Sequence, residues 1–273
     1  MAVCKHWLFL STAILGVSLA ACSAGDGEQG EAGETMHTAS GEGGEGGEGG
    51  EGGEGGEGGE GGAAQAGLSE GGARVYVYGQ MRGHLVVAKA LYDAGDAIAG
   101  SPHFMHPVVE VMAGNPDQFD AATTAQLTEA IEALALAGED GSHADEVQAQ
   151  YDTVIGQIDA ALGSATLADH AEGFAALIAQ ARHEYGEGVV NGAIEDVIEY
   201  QDAWGFIAAT RASFDAHRAE YDAADADAAD TLDTALADLQ ALRGAAMEDP
   251  PAEISAVRAA TTRVQLALAP FQG

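Results

Sequence analysis

Histidine is the residue type in this sequence that points most directly to chemistry. The chain has 44 acidic and only 10 basic residues, so its 9 histidines do not belong to a basic surface. The densest group lies in the segment from His103 through His106 to Glu110. On a helix these three residues share one face, because steps of three and four residues return to the same side. Two imidazoles and a carboxylate on one stripe suit zinc, iron or copper(II).

Two further residues extend this candidate metal site. Pro107 cannot donate a backbone hydrogen bond to the carbonyl of His103, which predicts a kink, and a kink inside a helical bundle can open room for a ligand. His84 lies on the preceding predicted helix, and the short connection makes the two helices neighbours. We therefore expect His84 to face the same stripe. The alternative is that these histidines are buried or half-exposed polar residues that bond to helix ends.

A second candidate set lies further along the chain. His183 and Glu187 are four residues apart, as are Glu195 and Glu199 after a predicted helix break. Helical bundles build metal sites from histidines and carboxylates on facing helices, so His183, Glu187 and Glu199 are candidate ligands. The alternative is chance, since this spacing of glutamates is common in so acidic a sequence.

Several classes of function are excluded or disfavoured by what the sequence lacks. It contains no phosphate-binding loop and no His-Glu-x-x-His. The acidic surface would be repelled by nucleic-acid phosphates and would attract cations. We predict that the protein is not an enzyme. A hydrolase with a His-bound metal and a Glu base is the catalytic alternative.

The N-terminal residues are typical of an exported protein. After Lys5, an apolar run from Trp7 to Ala21 is shorter than the roughly 20 residues of a membrane-spanning helix and has the length of a signal-peptide core. The run ends in Leu19-Ala20-Ala21-Cys22, which resembles the bacterial lipobox. The resemblance implies cleavage after residue 21 and lipid on Cys22, which would anchor the chain to a membrane. An ordinary signal peptide followed by a chance cysteine is the alternative.

The residue after the cysteine bears on location. In Gram-negative lipoproteins Asp at this position commonly implies retention in the inner membrane, whereas this chain has Ser23. The resemblance therefore implies the outer membrane, facing the periplasm. Only Cys4 and Cys22 are present, so a processed chain would have no disulfide and no thiolate metal ligand in its folded part.

Residues 22–73 have the composition of a tether. Between Glu42 and Glu60 a glutamate recurs at every third position, separated by pairs of glycines. Such a segment cannot bury an apolar core, and we predict that it is disordered. It would hold the following domain away from the membrane; a weak cation-binding role is the alternative.

Residues 74–273 form the predicted folded domain. Apolar residues recur at helical spacing, as in Leu127, Ile131 and Leu134. The pattern predicts an all-α, up-and-down bundle of about six to eight helices. Only residues 74–78 alternate as a strand would, and one strand cannot make a sheet. The predicted helices span 78–94, 101–112, 121–137, 145–162, 167–190, 193–221, 226–247 and 252–269.

A short motif gives a second resemblance. Gly141-Ser142-His143-Ala144-Asp145-Glu146 is similar to the Gly-x-His-x-x-Glu signature of imelysin-like proteins. The resemblance implies a helical, exported, often lipid-anchored protein linked to iron uptake. It adds His143 and Glu146 as candidate metal ligands.

These patterns together predict a lipid-anchored protein of the cell envelope. Its helical domain would bind a transition metal ion (iron, copper or zinc) through His and Glu side chains, in metal uptake or handling. The alternative is a non-catalytic, tethered structural or interaction module that binds no metal and contacts another envelope protein.

Overall fold

A computed structural model describes residues 67–139, 144–243 and 251–273. The predicted signal peptide, Cys22, nearly all of the Gly/Glu-rich segment and His143 lie outside these residues.

The prediction of an all-α bundle is confirmed. The described residues form eight α-helices and a two-stranded antiparallel hairpin in which Val189–Val190 (β1) pairs with Ala193–Ile194 (β2). The helices are α1 (Glu70–Asp93), α2 (Ala97–His106), α3 (Ala121–Gly138), α4 (Ala144–Leu162), α5 (Leu167–Gly188), α6 (Val197–Ala216), α7 (Arg218–Gln240) and α8 (Ile254–Leu268). Within the described ranges, none of these helices has both the length and the apolar character that spanning a membrane requires.

Helix α1 lies at the centre of the bundle and packs against α2, α5 and α6. It includes residues 74–78, so the helix predicted over 78–94 begins eight residues earlier, at Glu70. Val75, Tyr76 and Val77 are all completely buried. A helix that is enclosed on all sides carries apolar residues at nearly every position, and the alternation therefore did not mark a strand. Ser69 begins the helix by accepting a hydrogen bond from the amide of Gly72.

Helix α2 begins earlier than its proline suggested. The Asp96 side chain accepts from the amide of Ala99 and caps the helix, so that Pro102 lies inside it and not at its first turn. A capping carboxylate satisfies amides that would otherwise lack a partner. The cap therefore outweighs the preference of proline for the first helical position.

The predicted helix over 193–221 is divided in the structure. Its first residues form the strand β2, and the helix α6 follows and ends at Ala216. The next helix, α7, starts at Arg218. Within α7 the backbone of Asp225 is non-helical, with φ −161° and ψ 101°. The Asp225 side chain accepts from the amide of Ala228 at 3.0 Å, and the helix restarts there, next to the helix start predicted at residue 226.

Helices α1 and α6 approach each other almost to backbone contact. A Cβ atom on Gly205 of α6 would lie 2.5 Å from the carbonyl oxygen of Gly83 on α1, and 2.6 Å from Cγ2 of Val87. A side chain on Gly83 would in turn overlap Phe206. Only glycine permits so close an approach. It brings His84, the residue after Gly83, to the facing side of α6.

Candidate metal centre

Three helices bring four ionisable side chains together in the interior. His84 comes from α1, His103 and His106 from α2, and Asp202 from α6. Their exposed fractions are 3%, 0%, 8% and 3%. One potential ligand atom from each residue lies within 4.8 Å of all the others. Buried ionisable groups are costly unless they pair or coordinate a metal, so this cluster is the strongest candidate functional site in the described residues.

The Nδ1 atoms of all three histidines point at Asp202. Those of His84 and His103 each lie 2.8 Å from Oδ1, to which their N–H groups donate. Nδ1 of His106 lies 3.4 Å from Oδ2 and has no hydrogen-bond partner among the described residues. Neighbouring ligands of a metal with bonds of about 2.0–2.2 Å are about 3.0–3.5 Å apart. The 3.4 Å contact of His106 falls in this range, whereas the two 2.8 Å contacts are hydrogen-bond distances.

The Nε2 atoms face a second set of acceptors. Nε2 of His103 lies 2.8 Å from Oε1 of Gln201. Nε2 of His106 and of His84 lie 3.4 and 3.9 Å from the carboxylate oxygens of Glu110. Histidines that bind metals usually donate their other ring N–H to a carboxylate or carbonyl, which orients the ring. Each histidine therefore has Asp202 beside its Nδ1 atom and either Glu110 or Gln201 beside its Nε2 atom.

The charges in the cluster are mutually dependent. Burial alone would raise the pKa of Asp202, but the adjacent His84, His103 and His106 outweigh it and hold that pKa well below its usual range. Burial alone would lower the pKa of His103, yet its contacts with Asp202 and Gln201 raise it. Asp202 is therefore an anion that favours positive charge around it, whether carried by a proton or by a metal ion.

The local sequence explains how α2 presents its side chains. His103 and His106 are three residues apart and lie on the same face. At Pro107 the α-helix gives way to a π-helix, Pro107–Met112. The wider turn follows from the amide hydrogen that Pro107 lacks, and π-helical turns occur frequently at functional sites. It carries Glu110 to the rim of the cluster, where the side chain is partly exposed.

The other predicted ligands lie elsewhere. His183 is half-buried and Glu187 is exposed on α5, and neither belongs to the four-residue cluster. Glu199 on α6 shares a hydrogen bond with Glu184 on α5. Glu146 is exposed on α4, and its proposed partner His143 lies outside the described residues.

Asp202 and Gln201 were not selected from the sequence. One signal was available, because Asp202 stands before the apolar residues Ala203, Trp204 and Phe206 in a predicted helix. An acidic residue on the buried face of a helix requires a partner. Which partner it has depends on helix packing, since Asp202 is separated from His84 by 118 positions in the chain.

The residues present fit a transition metal ion. Three imidazoles and a carboxylate are ligands that zinc, iron and copper(II) accept. The described residues also offer a reason for an ion to bind, namely the buried Nδ1 of His106 that has no hydrogen-bond partner among them. His84, His103, His106 and Asp202 are the residues that would hold such an ion.

Comparison with known proteins bears on part of this arrangement. No curated protein and no solved structure matches the chain. One segment of the chain matches a family model. This segment holds helices α5 to α8 and Asp202, but none of the three clustered histidines. Residues 164–271 match the model of the iron permease-associated 4-helix bundle domain.

Proposed function

We propose that this protein binds a transition metal ion through His84, His103, His106 and Asp202 and serves in metal handling at the cell envelope. The observation that carries the proposal is the convergence of three buried Nδ1 atoms on one buried carboxylate. The match of residues 164–271 to an iron permease-associated domain supports iron as the physiological ion.

The proposed role is binding without catalysis. All four ligand side chains are at least nine-tenths buried, so a bound ion would be enclosed by protein and not presented to a second substrate. Glu110 is the partly exposed group at the rim. We propose that it orients His84 and His106 and forms the first contact for an entering cation.

Replacing Asp202 with Asn tests the site through its one carboxylate. We expect Zn²⁺ or anaerobic Fe²⁺ to bind about 10–100-fold more weakly, because Asn keeps an oxygen ligand but loses the negative charge. Competition with a chromophoric chelator measures the affinity. Asp238→Asn removes the same charge from an exposed position on α7 and should leave it unchanged. Equal affinities in the two variants would argue against Asp202 as a ligand.

We also propose that the protein is a lipoprotein anchored through Cys22, in the outer membrane and facing the periplasm. The support is the resemblance of Leu19-Ala20-Ala21-Cys22 to the lipobox. Cells that express the chain with radiolabelled palmitate should incorporate label into the wild type and none into Cys22→Ala. Cys4→Ala is the matched control, because residue 4 would leave with the signal peptide. Label in the Cys22→Ala variant would contradict lipidation at this cysteine.

A further inference from the structure

Gln201 is a buried amide on α6 that directly precedes Asp202. Its exposed fraction is 2%. Its Oε1 lies 2.8 Å from Nε2 of His103, whereas its amide nitrogen is buried without a hydrogen-bond partner among the described residues. A buried polar group without a partner destabilises a fold. Packing alone therefore does not account for a glutamine at this position, and its contact with His103 is the feature to explain.

The hydrogen bond between Gln201 and His103 differs from the contacts that Glu110 makes. Nε2 of His106 and of His84 lie 3.4 and 3.9 Å from the oxygens of Glu110, which is longer than an ordinary hydrogen bond of this type. The side chain of Glu110 is also partly exposed, whereas His103 is completely buried. The bond between Gln201 and His103 is therefore short and shielded from water.

Adjacent residues of α6 hold the imidazole of His103 at both nitrogens. Nδ1 lies 2.8 Å from Oδ1 of Asp202, and Nε2 lies 2.8 Å from Oε1 of Gln201. Consecutive residues of a helix point about 100° apart, so the two side chains reach the ring from different directions. Rotation of the ring would break both contacts, and its orientation is therefore fixed.

The amide oxygen also determines which nitrogen of His103 carries a hydrogen. Oε1 of Gln201 is an acceptor, so it pairs with Nε2 only when that nitrogen is an N–H donor. A histidine binds a metal through a nitrogen that has lost its proton and keeps a hydrogen on the other nitrogen. With the hydrogen held on Nε2, Nδ1 of His103 is the atom that can bind an ion.

We propose that Gln201 is a positioning residue of the metal centre, whose Oε1 keeps the hydrogen of His103 on Nε2 and leaves Nδ1 to bind the ion. This inference rests on the proposed function of the site. It assigns the coordinating atom of His103, and it gives Gln201 a role that needs no contact with the ion. A neutral amide suits this role because it adds no second buried charge beside Asp202.

Replacing Gln201 with Met tests the role, because methionine is similar in length but has no strong acceptor. The hydrogen of a neutral His103 should then move to Nδ1, where Asp202 accepts it. Metal binding must move that hydrogen back to Nε2 and leave it buried without an acceptor. We therefore expect Zn²⁺ to bind about 10–100-fold more weakly, as measured by competition with a chromophoric chelator. Gln201→Glu restores an acceptor oxygen and should bind Zn²⁺ more tightly than Gln201→Met.

The matched control is Gln180→Met, on the neighbouring helix α5. Gln180 is also buried, with an exposed fraction of 8%, and it accepts a hydrogen bond from Tyr76, but it lies outside the histidine cluster. Its replacement should leave the affinity for Zn²⁺ unchanged. Urea denaturation of both variants measures stability separately. A loss of stability in Gln201→Met without a loss of affinity would overturn the proposal, because the amide would then support only the fold.

A measurement on the wild type needs no variant of Gln201 to fold. Nitrogen NMR of the full chain with isotope-labelled histidine reports which ring nitrogen carries a hydrogen, and His103→Ala identifies the signals of His103. In the Zn²⁺-loaded protein we expect a hydrogen on Nε2 of His103 and none on Nδ1. A hydrogen on Nδ1 in the loaded protein would overturn the proposal.

These outcomes are distinguishable from a failure of the proposed function. If the wild type binds neither Zn²⁺ nor Fe²⁺, the proposed function is wrong and the role of Gln201 is wrong with it. If the wild type binds Zn²⁺ and Gln201→Met binds it with equal affinity, the metal centre stands and only the role of Gln201 is wrong.

Discussion

A His103→Ala/His106→Ala variant should lose stoichiometric transition-metal binding. The two imidazoles supply half of the four clustered ligand groups, and their partner Asp202 cannot hold an ion with His84 alone. Removal of groups that only orient a ligand already weakens binding by about 10–100-fold. We therefore expect the loss of two direct ligands to exceed about 100-fold. Elemental analysis of purified, untagged protein, followed by titration with Zn²⁺ and anaerobic Fe²⁺, measures it.

A second double variant controls for the loss of two histidines as such. His183→Ala/His217→Ala removes two imidazoles that lie outside the cluster. It should retain the metal content and the affinity of the wild type. Circular dichroism of both variants checks that the bundle remains helical. Full metal retention by the His103→Ala/His106→Ala variant would leave a tethered interaction module as the better account of the domain.

Gly205→Ala should destabilise the fold at the contact between α1 and α6. The new Cβ would lie 2.5 Å from the carbonyl oxygen of Gly83 and 2.6 Å from Cγ2 of Val87. The backbone atom cannot rotate away, so the two helices must separate. Overpacking of this kind costs about 1–3 kcal/mol and occasionally more. We expect a loss of about 2–4 kcal/mol in the free energy of unfolding, measured with urea.

The same variant should also affect the metal centre. His84 directly follows Gly83, and its 2.8 Å contact with Asp202 crosses the interface that the methyl group would widen. We expect weaker metal binding together with the loss of stability.

An exposed helical glycine gives the control for Gly205→Ala. A Cβ atom on Gly156, in the middle of α4, would have no other atom within 4 Å. Gly156→Ala should therefore raise the free energy of unfolding by roughly 0.5–1 kcal/mol, because alanine loses less backbone entropy than glycine in a helix. A destabilisation of Gly205→Ala smaller than about 0.5 kcal/mol would show that α1 and α6 can separate without strain.

The candidate metal centre was only partly predictable. His103, His106 and Glu110 share a helix face because of their spacing alone, and His84 was expected nearby because a short connection follows its helix. The structure brings the three histidines together around Asp202 and places Glu110 beside His84 and His106. It also assigns different positions to them, with the histidines buried and Glu110 at the rim. The assignment of His183, Glu187 and Glu199 to a shared site depended on helix orientation, which spacing does not determine.

The sequence by itself determined the all-α class, most helix positions and the stripe on α2, because helical periodicity, caps and breaks are local properties. Only the tertiary structure decided that Asp202 is the common partner of the three histidines. That contact joins residues 99 and 118 positions apart, and it depends on the glycines that let α1 and α6 meet. Such partners cannot be deduced from local patterns, because any of the 44 acidic residues satisfies the same chemical requirement and packing alone selects one.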